Sequence, residues 1–262
     1  MIKALFFDID GTLVSFKTHS IPVSTVEALS KAKAAGIKIF IATGRPVAII
    51  DNLGAIEHLI DGYVTTNGAY CFVKDDIIVC NPILQDDVKM MAQFADEKRF
   101  ACVYVGVKHI VIQNPNELLY KIFTDYLNVR NFPENEPLET IFQEPIIQMT
   151  PIIPVDVEKE AMSRLKGCIS GRWHHEFTDI TANGADKGEG IAAVASHFGI
   201  EINETMAFGD GGNDVAMLKR AGVGVAMENA NESIRAQADY VTTSVDDDGI
   251  RNALVHWNVI EK

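Results

Sequence analysis

Apolar and polar positions alternate along the first 66 residues in a way that predicts strands and helices in turn. Residues 3–9 form a short, almost continuous apolar run, and similar runs recur at 37–42 and 62–66. Between these runs, apolar residues recur every three or four positions, as in helices that open at Pro22 and Pro46. Because short apolar strands separated by helices form parallel sheets covered on both faces, this region predicts such a sheet.

The same alternation returns near the end of the chain. There the pattern predicts helices over 186–199, 213–221 and 230–238 and strands over 205–208, 223–226 and 239–243. Residues 84–182 differ, with antiparallel-type strands, further helices (one of them over 116–129) and a proline-rich middle. The sequence therefore predicts an α/β protein. Residues 1–82 and 183–262 would form a Rossmann-like parallel-sheet core, and residues 83–182 an inserted α+β domain.

The composition is that of a globular protein with an acidic balance. The 262 residues include 36 acidic and 23 basic side chains, a formal net charge of −13. This charge disfavours nucleic-acid and membrane-surface partners, and taken alone it would disfavour a small anion as well. Asp8 interrupts the N-terminal apolar run, which argues against a secretory signal, and no run approaches the ~18 residues of a membrane span. With four cysteines and no Cys-x-x-Cys pair, we expect reduced thiols in a cytoplasmic protein.

Polar residues with chemical potential follow the first two predicted strands. Asp8 and Asp10 follow the first strand, and a glycine comes directly after them. This pattern is also an ordinary turn, but the carboxyl ends of parallel strands border the crevice where such sheets bind ligands. Thr43, Gly44 and Arg45 follow the second strand, at the start of a predicted helix, where amides and a hydroxyl would bind an anion. A simple helix cap is the alternative there, although the Arg45 guanidinium suits phosphate or sugar oxygens.

A lysine and a second acidic loop lie in the late block. Lys187 opens a predicted helix and would by itself be read as a solvated surface charge. Residues 209–214 (Gly-Asp-Gly-Gly-Asn-Asp) follow an apolar strand, and a plain glycine-rich turn is the alternative. The acids that this topology brings together are Asp8, Asp10, Asp210 and Asp214. Such a group repels strongly, so a bound Mg²⁺ is the natural compensation, with Lys187 and Thr43 serving a phosphoryl group.

Together these segments resemble the motifs of the haloacid dehalogenase superfamily and, more narrowly, of its Cof-type sugar-phosphate phosphatases, which include hexose phosphate phosphatases. The matching motifs, in the family's order, are Asp-Ile-Asp-Gly-Thr-Leu at 8–13, Ala-Thr-Gly-Arg at 42–45, Thr-Asn-Gly-Ala at 66–69, Lys187, and Gly-Asp-Gly-Gly-Asn-Asp at 209–214. The insertion matches the cap domain of that subgroup in position and size, which implies a role in substrate specificity.

The resemblance implies a mechanism and a role for each residue. Asp8 would attack phosphorus and form an aspartyl-phosphate, while Asp10 would protonate the leaving sugar oxygen and then activate water. Mg²⁺ would be held by Asp8, the backbone carbonyl of Asp10, Asp210 and, directly or through water, Asp214. The implied phosphate ligands are Ile9, Thr43, Gly44, Lys187 and Asn213.

The insertion offers weaker signals. Arg172 stands beside Trp173, a pair that suits sugar hydroxyls and ring faces, so we predict substrate contacts from Arg45 and Arg172. The alternative is a surface arginine with Trp173 in the core of the insertion. The pair His174 and His175 is more typical of a half-solvated strand than of a metal site.

The sequence thus predicts a Mg²⁺-dependent phosphatase of small sugar phosphates. A phosphotransferase or mutase with the same nucleophile, and a regulatory module with a vestigial site, are the alternatives. As partners we expect a small phosphorylated metabolite, no nucleic acid and no membrane, and we expect a monomer or weak homodimer.

Overall fold

The strands of the chain form two sheets, and helices pack against both of them. The computed structural model describes residues 1–130, 132 and 136–262. The strands are β1 (Ala4–Phe7), β2 (Lys38–Ala42), β3 (Gly62–Thr65), β4 (Tyr70–Val73), β5 (Asp76–Cys80), β6 (Cys102–Gly106), β7 (Ile110–Gln113), β8 (Ile146–Pro151), β9 (Cys168–Gly171), β10 (Asp179–Ala182), β11 (Thr205–Gly209), β12 (Val223–Ala226) and β13 (Tyr240–Val241). The helices are α1 (Val23–Ala34), α2 (Gln85–Lys98), α3 (Glu117–Tyr120), α4 (Val155–Arg164), α5 (Lys187–His197), α6 (Val215–Arg220), α7 (Glu232–Arg235) and α8 (Gly249–His256). Within these described ranges, no helix is both long and apolar enough to span a bilayer.

The larger sheet has eight strands in the order β13-β12-β11-β1-β2-β3-β4-β5. The pairs from β13 to β3 are parallel, and β4 and β5 add an antiparallel hairpin at one edge. In the central strand β1, Leu5 and Phe7 pack in one cluster with residues of α1 and α8, whereas Ala4 and Phe6 pack in another with residues of α5. The predicted parallel sheet, covered by helices on both faces, is confirmed.

The smaller sheet has five antiparallel strands in the order β7-β6-β8-β10-β9. One of its faces packs against α2 and α4. On the other face, Val103, Val105 and Ile147 share a buried cluster with Ile49 and Ala69, which come from the larger sheet's part of the chain. The predicted α/β class, with an added α+β unit, is confirmed. We use the names core (residues 1–82 and 183–262) and cap (residues 83–182); these boundaries stay a prediction.

The helix predicted after Pro46 is wrong. In its place the chain forms two 3₁₀ turns, Val47–Ile49 and Glu57–Leu59. The segment 51–54 contains Asp, Asn and Gly, which are weak helix formers. The apolar residues whose spacing suggested a helix, such as Leu53, are nevertheless buried. The spacing of apolar residues therefore predicted their burial correctly and the backbone conformation incorrectly. As a consequence, the Thr43–Arg45 segment does not lie at the N-terminus of an α-helix.

The helix predicted over residues 116–129 forms with a change of type. Asn116 caps its start, because its side chain accepts a hydrogen bond from the Leu119 amide at 2.9 Å. The short α3 then continues as a π-helical segment, Lys121–Tyr126. Segments of π-helix frequently occur at functional sites. This one brings Tyr126 and the Leu127 carbonyl against the core, as described below.

Candidate active site

The register of the core sheet brings several strand and helix ends to one edge. Phe7 of β1 pairs with Ile41 of β2 and with Phe208 of β11, so the residues that follow these strands lie level with one another. Those that follow strands β1, β2 and β11 are Asp8, Thr43 and Asp210, and those at the starts of α5 and α6 are Lys187 and Asp214. Parallel topology therefore concentrates the polar segments that are far apart in sequence.

Lys187 lies between two carboxylates at this edge. Its Nζ donates to Asp8 Oδ1 and to Asp214 Oδ1, each at 2.6 Å, and its side chain has no solvent exposure. The second oxygen of Asp214 accepts from the amides of Asp210 and Gly211, at 2.9 and 2.8 Å. Because both oxygens of Asp214 are held in this way, the lysine and the 209–214 loop form one hydrogen-bonded unit with the Asp8 carboxylate.

Burial and mutual repulsion shift the pKa values of this cluster. Burial, followed by the charge of Asp214, raises the pKa of Asp8 to about 7 against the lowering effect of Lys187. Burial and the charges of Asp8 and Asp214 raise the pKa of Asp210 as well. Burial acts to lower the pKa of Lys187, but the charges of Asp214 and Asp8 outweigh it, so this pKa is raised. The cluster thus contains more negative charge than one lysine offsets.

Three carboxylates of this cluster could hold a divalent cation. One oxygen from each of Asp8, Asp210 and Asp214 lies within 4.8 Å of the others. Carboxylate oxygens are ligands that Mg²⁺ prefers, and a cation beside them would favour their charged forms. The donor set therefore fits Mg²⁺. The Asp10 carboxylate lies outside this group, which leaves its backbone carbonyl for the role that the resemblance implies.

Asp10 is paired instead with Arg45. The guanidinium donates from Nε to Asp10 Oδ2 and from Nη2 to Asp10 Oδ1, each at 2.7 Å. It also donates to the carbonyls of Ile49, at 3.0 Å, and of Leu127 in the cap, at 2.8 Å. Burial acts to lower the pKa of Arg45, but Asp10 outweighs it, so the pKa is raised. Arg45 therefore fixes the Asp10 carboxylate and ties it to the cap, while its contact with substrate stays a prediction.

Three of the five predicted phosphate ligands line one cavity, and Ile9 and Lys187 are not among its lining residues. Thr43, Gly44 and Asn213 line the cavity that also contains the two acids of the first motif. Among the hydrogen bonds of the described residues, the Ile9 and Gly44 amides donate to no protein acceptor, so they can serve a ligand oxygen. The Asn213 side-chain amide donates to Asn67 Oδ1 at 2.9 Å, which fixes its orientation. Their contact with phosphate stays a prediction.

A cavity of about 580 Å³ lies between these core residues and the cap. Its cap side is formed by Tyr126, Arg172, Trp173, His174 and His175. The Tyr126 ring stacks on Phe16 of the core at 5.0 Å and also contacts the His174 ring at 5.0 Å. The cavity therefore has a charged end on the core and an aromatic end on the cap.

Arg172 lines this cavity, but the protein itself uses its guanidinium. Nε donates to Glu158 Oε2 at 2.5 Å, Nη2 to the Ile153 carbonyl at 2.8 Å, and Nη1 to the carbonyls of His174 and His175. In this arrangement the arginine shapes the 172–175 segment. Its predicted contact with substrate stays a prediction.

Some residues of the site carried no predicted role. Asn67 connects Asn213 to the cap. The sequence indicated a turn at this position, because Asn67 precedes a glycine. In the structure Asn67 adopts a φ of 51°, a left-handed conformation that asparagine tolerates better than most residues. Phe16 and Tyr126 offered no such signal, because the two rings are far apart in sequence and meet only in the folded chain.

Two acids, a buried lysine and three carboxylates that could hold a metal lie at the carboxyl edge of a parallel sheet beneath a cap, an arrangement typical of phosphoryl-transfer hydrolases. The chain belongs to the haloacid dehalogenase-like hydrolase family, whose profile matches residues 5–254.

Individual relatives agree with this assignment. A solved structure described as a sugar phosphatase of subclass IIB of the superfamily is 51% identical, covers 98% of this chain and 100% of its own, and gives a TM-score of 0.95. A phosphatase of the superfamily from Bacteroides thetaiotaomicron is 35% identical with a TM-score of 0.89, covering 99% of this chain and 96% of its own. The Bacillus subtilis (strain 168) protein named "Putative phosphatase YkrA" is 32% identical over 99% of both chains. The protein is a phosphatase of this family.

Proposed function

We propose that the protein hydrolyses small sugar phosphates, with hexose phosphates as the preferred class, in a Mg²⁺-dependent reaction. One observation carries the proposal. Asp8 and Asp10, two residues apart, line one cavity but have different partners: Lys187 holds the first carboxylate and Arg45 the second. Two acids with separate environments can take separate roles in one reaction.

In the first step Asp8 acts as the nucleophile. Its carboxylate attacks phosphorus, the bond from phosphorus to the sugar oxygen breaks, and an aspartyl-phosphate forms. Asp10 enters this step in its acid form and gives its proton to the leaving sugar oxygen, so that no free alkoxide is released. Lys187, whose raised pKa keeps it charged, orients the nucleophile through its 2.6 Å hydrogen bond to Asp8.

In the second step water replaces the sugar. Asp10, now ionised, takes a proton from a water molecule, which attacks phosphorus and breaks the bond to Asp8. Free phosphate and the regenerated Asp8 carboxylate result. The Ile9 and Gly44 amides and the Thr43 hydroxyl support this step as donors to the phosphoryl oxygens.

The proposed metal requirement is supported by the three carboxylates that lie close together around one lysine. Mg²⁺ held by Asp8, Asp210, Asp214 and the Asp10 carbonyl would supply positive charge to the carboxylates and to the phosphoryl oxygens. Without it, the raised pKa of Asp8, about 7, leaves much of the nucleophile protonated at neutral pH.

The sugar class is supported by the cap end of the cavity and by a relative. A volume of about 580 Å³ falls in the range of small-molecule sites, and aromatic rings with imidazole nitrogens suit the faces and hydroxyls of a sugar. The relative at 51% identity is described as a sugar phosphatase.

We also propose that the protein is cytoplasmic, and its four free cysteines agree with this location.

A kinetic screen tests this proposal. The purified protein is assayed for phosphate release from pentose, hexose and nucleoside monophosphates, with Mg²⁺ and with excess EDTA, and with Asp8→Asn as a control for contaminating phosphatases. We expect the highest kcat/KM for a hexose phosphate and loss of activity in EDTA, restored by Mg²⁺.

Two outcomes would contradict it. Preference for a nucleotide or for another non-sugar phosphate would reject the sugar class and leave the phosphatase assignment intact. Transfer of phosphate to an added sugar, in place of release to water, would favour the phosphotransferase alternative.

A further inference from the structure

A buried carboxylate outside the catalytic cluster joins the cap to the core. Asp179, the first residue of β10, is only 4% exposed. Its Oδ1 accepts from Thr150 Oγ1 at 2.8 Å and from Gln148 Nε2 at 3.2 Å. Its Oδ2 accepts from Trp173 Nε1 at 3.0 Å and from Asn67 Nδ2 at 3.1 Å. Both oxygens are therefore satisfied, three times by the cap and once by the core.

The donors of this carboxylate lead to the predicted phosphate ligands. Asn67, which donates to Asp179, accepts at its Oδ1 from the side-chain amide of Asn213. Gln148, the other amide, donates to the Gly44 carbonyl at 3.2 Å. Asp179 also lies directly against that glycine, because a Cβ built on Gly44 would be 2.9 Å from Asp179 Oδ2. Thus one side chain of the cap lies directly against Gly44 and reaches Asn213 through Asn67, and both of these residues are predicted phosphate ligands.

The carboxylate is required by the chemistry of these donors. Trp173 Nε1 and the side-chain amide nitrogens of Asn67 and Gln148 can only donate, so their common partner must accept at both oxygens. Burial raises the pKa of Asp179, while the hydrogen bonds from Trp173 and Thr150 oppose this shift. A neutral amide at this position would turn one acceptor into a donor facing a donor, and the network could not stay closed.

We propose that Asp179 is a positioning residue that couples the position of the cap on the core to the phosphate-binding loops of the core. The carboxylate holds Asn67 and, through it, Asn213, and it closes the space behind Gly44. When the cap packs against the core, the phosphate ligands are brought into place. When phosphate binds, this packed arrangement of cap and core is stabilised. This inference rests on the proposed function for the identity of the phosphate loops.

The test uses inorganic phosphate as the probe. Its dissociation constant is measured by calorimetry in the presence of Mg²⁺ for the full chain and for Asp179→Asn, Thr150→Val and Thr178→Val. Thr178 is the matched control, because it is buried beside Asp179 while its hydroxyl, among the described residues, donates to Glu158 within the cap, at 3.3 Å. A Trp257→Phe background leaves Trp173 as the single tryptophan, and its emission reports on the cap side of the network.

We expect Asp179→Asn to weaken phosphate binding about tenfold, and Thr150→Val, which removes one donor of four, about threefold. Thr178→Val should stay within about twofold of the wild type. KM should rise by the same factor for every substrate, whatever its leaving group. In the wild type, phosphate should shift the Trp173 emission, and in Asp179→Asn this shift should be lost.

Other results would overturn the inference. Unchanged phosphate affinity in Asp179→Asn, with an altered Trp173 emission, would show that the carboxylate only stabilises the cap. If that variant does not fold, Thr150→Val decides alone, and affinity equal to that of Thr178→Val would reject the coupling. A wild type that binds no phosphate with Mg²⁺ would reject the proposed function, and this inference with it.

Discussion

The two ends of the cavity are built on different physical principles. At the core end, charged groups hold one another: Lys187 bridges Asp8 and Asp214, and Arg45 grips Asp10 with two hydrogen bonds. These groups lie near the ends of core strands and helices. The backbone of the central strand β1 is fixed there by hydrogen bonds to a parallel strand on each side. The core end of the cavity therefore suits a chemical group that is the same in every substrate, because its charges and distances are set before a ligand arrives.

At the cap end, aromatic and imidazole rings predominate, and the guanidinium of Arg172 is bonded to the protein itself. Tyr126 is 41% exposed and is held by stacking on Phe16, and His174 stacks on Phe177. Burial and the charges of His175 and Arg172 lower the pKa of His174 below its ordinary value, which favours the neutral imidazole. Loops and a π-helical segment carry these side chains. The proposed function accordingly assigns the reaction to the core end and the selection of the leaving group to the cap end.

The strongest test of this division is the loss of the nucleophile. Asp8→Asn should lower kcat at least about 10³-fold for every substrate, because no aspartyl-phosphate can form. Phosphate release is measured with a hexose phosphate and with acetyl phosphate. Asp125→Asn, an exposed acid of the cap, is the control and should retain full activity. Residual activity of Asp8→Asn above a tenth of wild type would remove Asp8 from this role.

The next test separates the two acids. Asp10→Asn should lower kcat for a hexose phosphate about 10²- to 10³-fold, since the sugar oxygen must be protonated as it leaves. p-Nitrophenyl phosphate has a leaving group that needs no proton. Stopped-flow absorbance should therefore show a burst close to one nitrophenolate per enzyme, followed by slow turnover. A variant that shows no burst and equal losses for both substrates would contradict an acid and base role for Asp10.

A third test concerns the buried charges without metal. Lys187→Met should destabilise the metal-free protein by about 3–5 kcal/mol, because two buried carboxylates lose their cation. The raised pKa of Asp8, about 7 against 3.8, means that the folded state binds the proton more tightly, so stability falls as pH rises from about 4 to about 7. Because Lys187 lowers the pKa of Asp8, its removal raises that pKa further, and the deficit of the variant should be larger at pH 8, where the wild-type carboxylate is ionised, than at pH 5.5.

Urea unfolding at both pH values, in EDTA, measures this effect. Lys219→Met, at an exposed position, is the control and should change stability little. A deficit that is equal at the two pH values would show that the loss comes from packing and not from unpaired carboxylates.

The smallest expected effect lies at the cap end. Tyr126→Ala should raise KM for a hexose phosphate several-fold, with little change for acetyl phosphate, whose leaving group is too small to reach the ring. Tyr120→Ala is the matched control, since Tyr120 lies on the same helical segment, is 43% exposed and does not line the cavity. Equal KM changes for both substrates would place Tyr126 in general cap closure and not in leaving-group selection.

The sequence by itself predicted the parallel-sheet core and a set of candidate residues at its carboxyl edge. The alternation of apolar runs and helical periods indicated a parallel sheet, and in such a sheet consecutive strand ends share one edge. The order of strands along the chain therefore predicts that Asp8, Thr43 and Asp210 lie at one edge. The net charge of −13, which first disfavoured a small anion, belongs in part to the predicted metal site.

The tertiary structure decided the partners of each group. No pattern in the sequence shows that Arg45 would bond to Asp10 and to the Leu127 carbonyl, or that Asp179 would collect donors from β8, from the 172–178 loop and from Asn67. It also replaced the helix predicted after Pro46 by two 3₁₀ turns. Periodicity reports which side chains are buried, because burial follows local patterns of polarity. Contacts between distant segments depend on how two sheets pack, which only the folded chain determines.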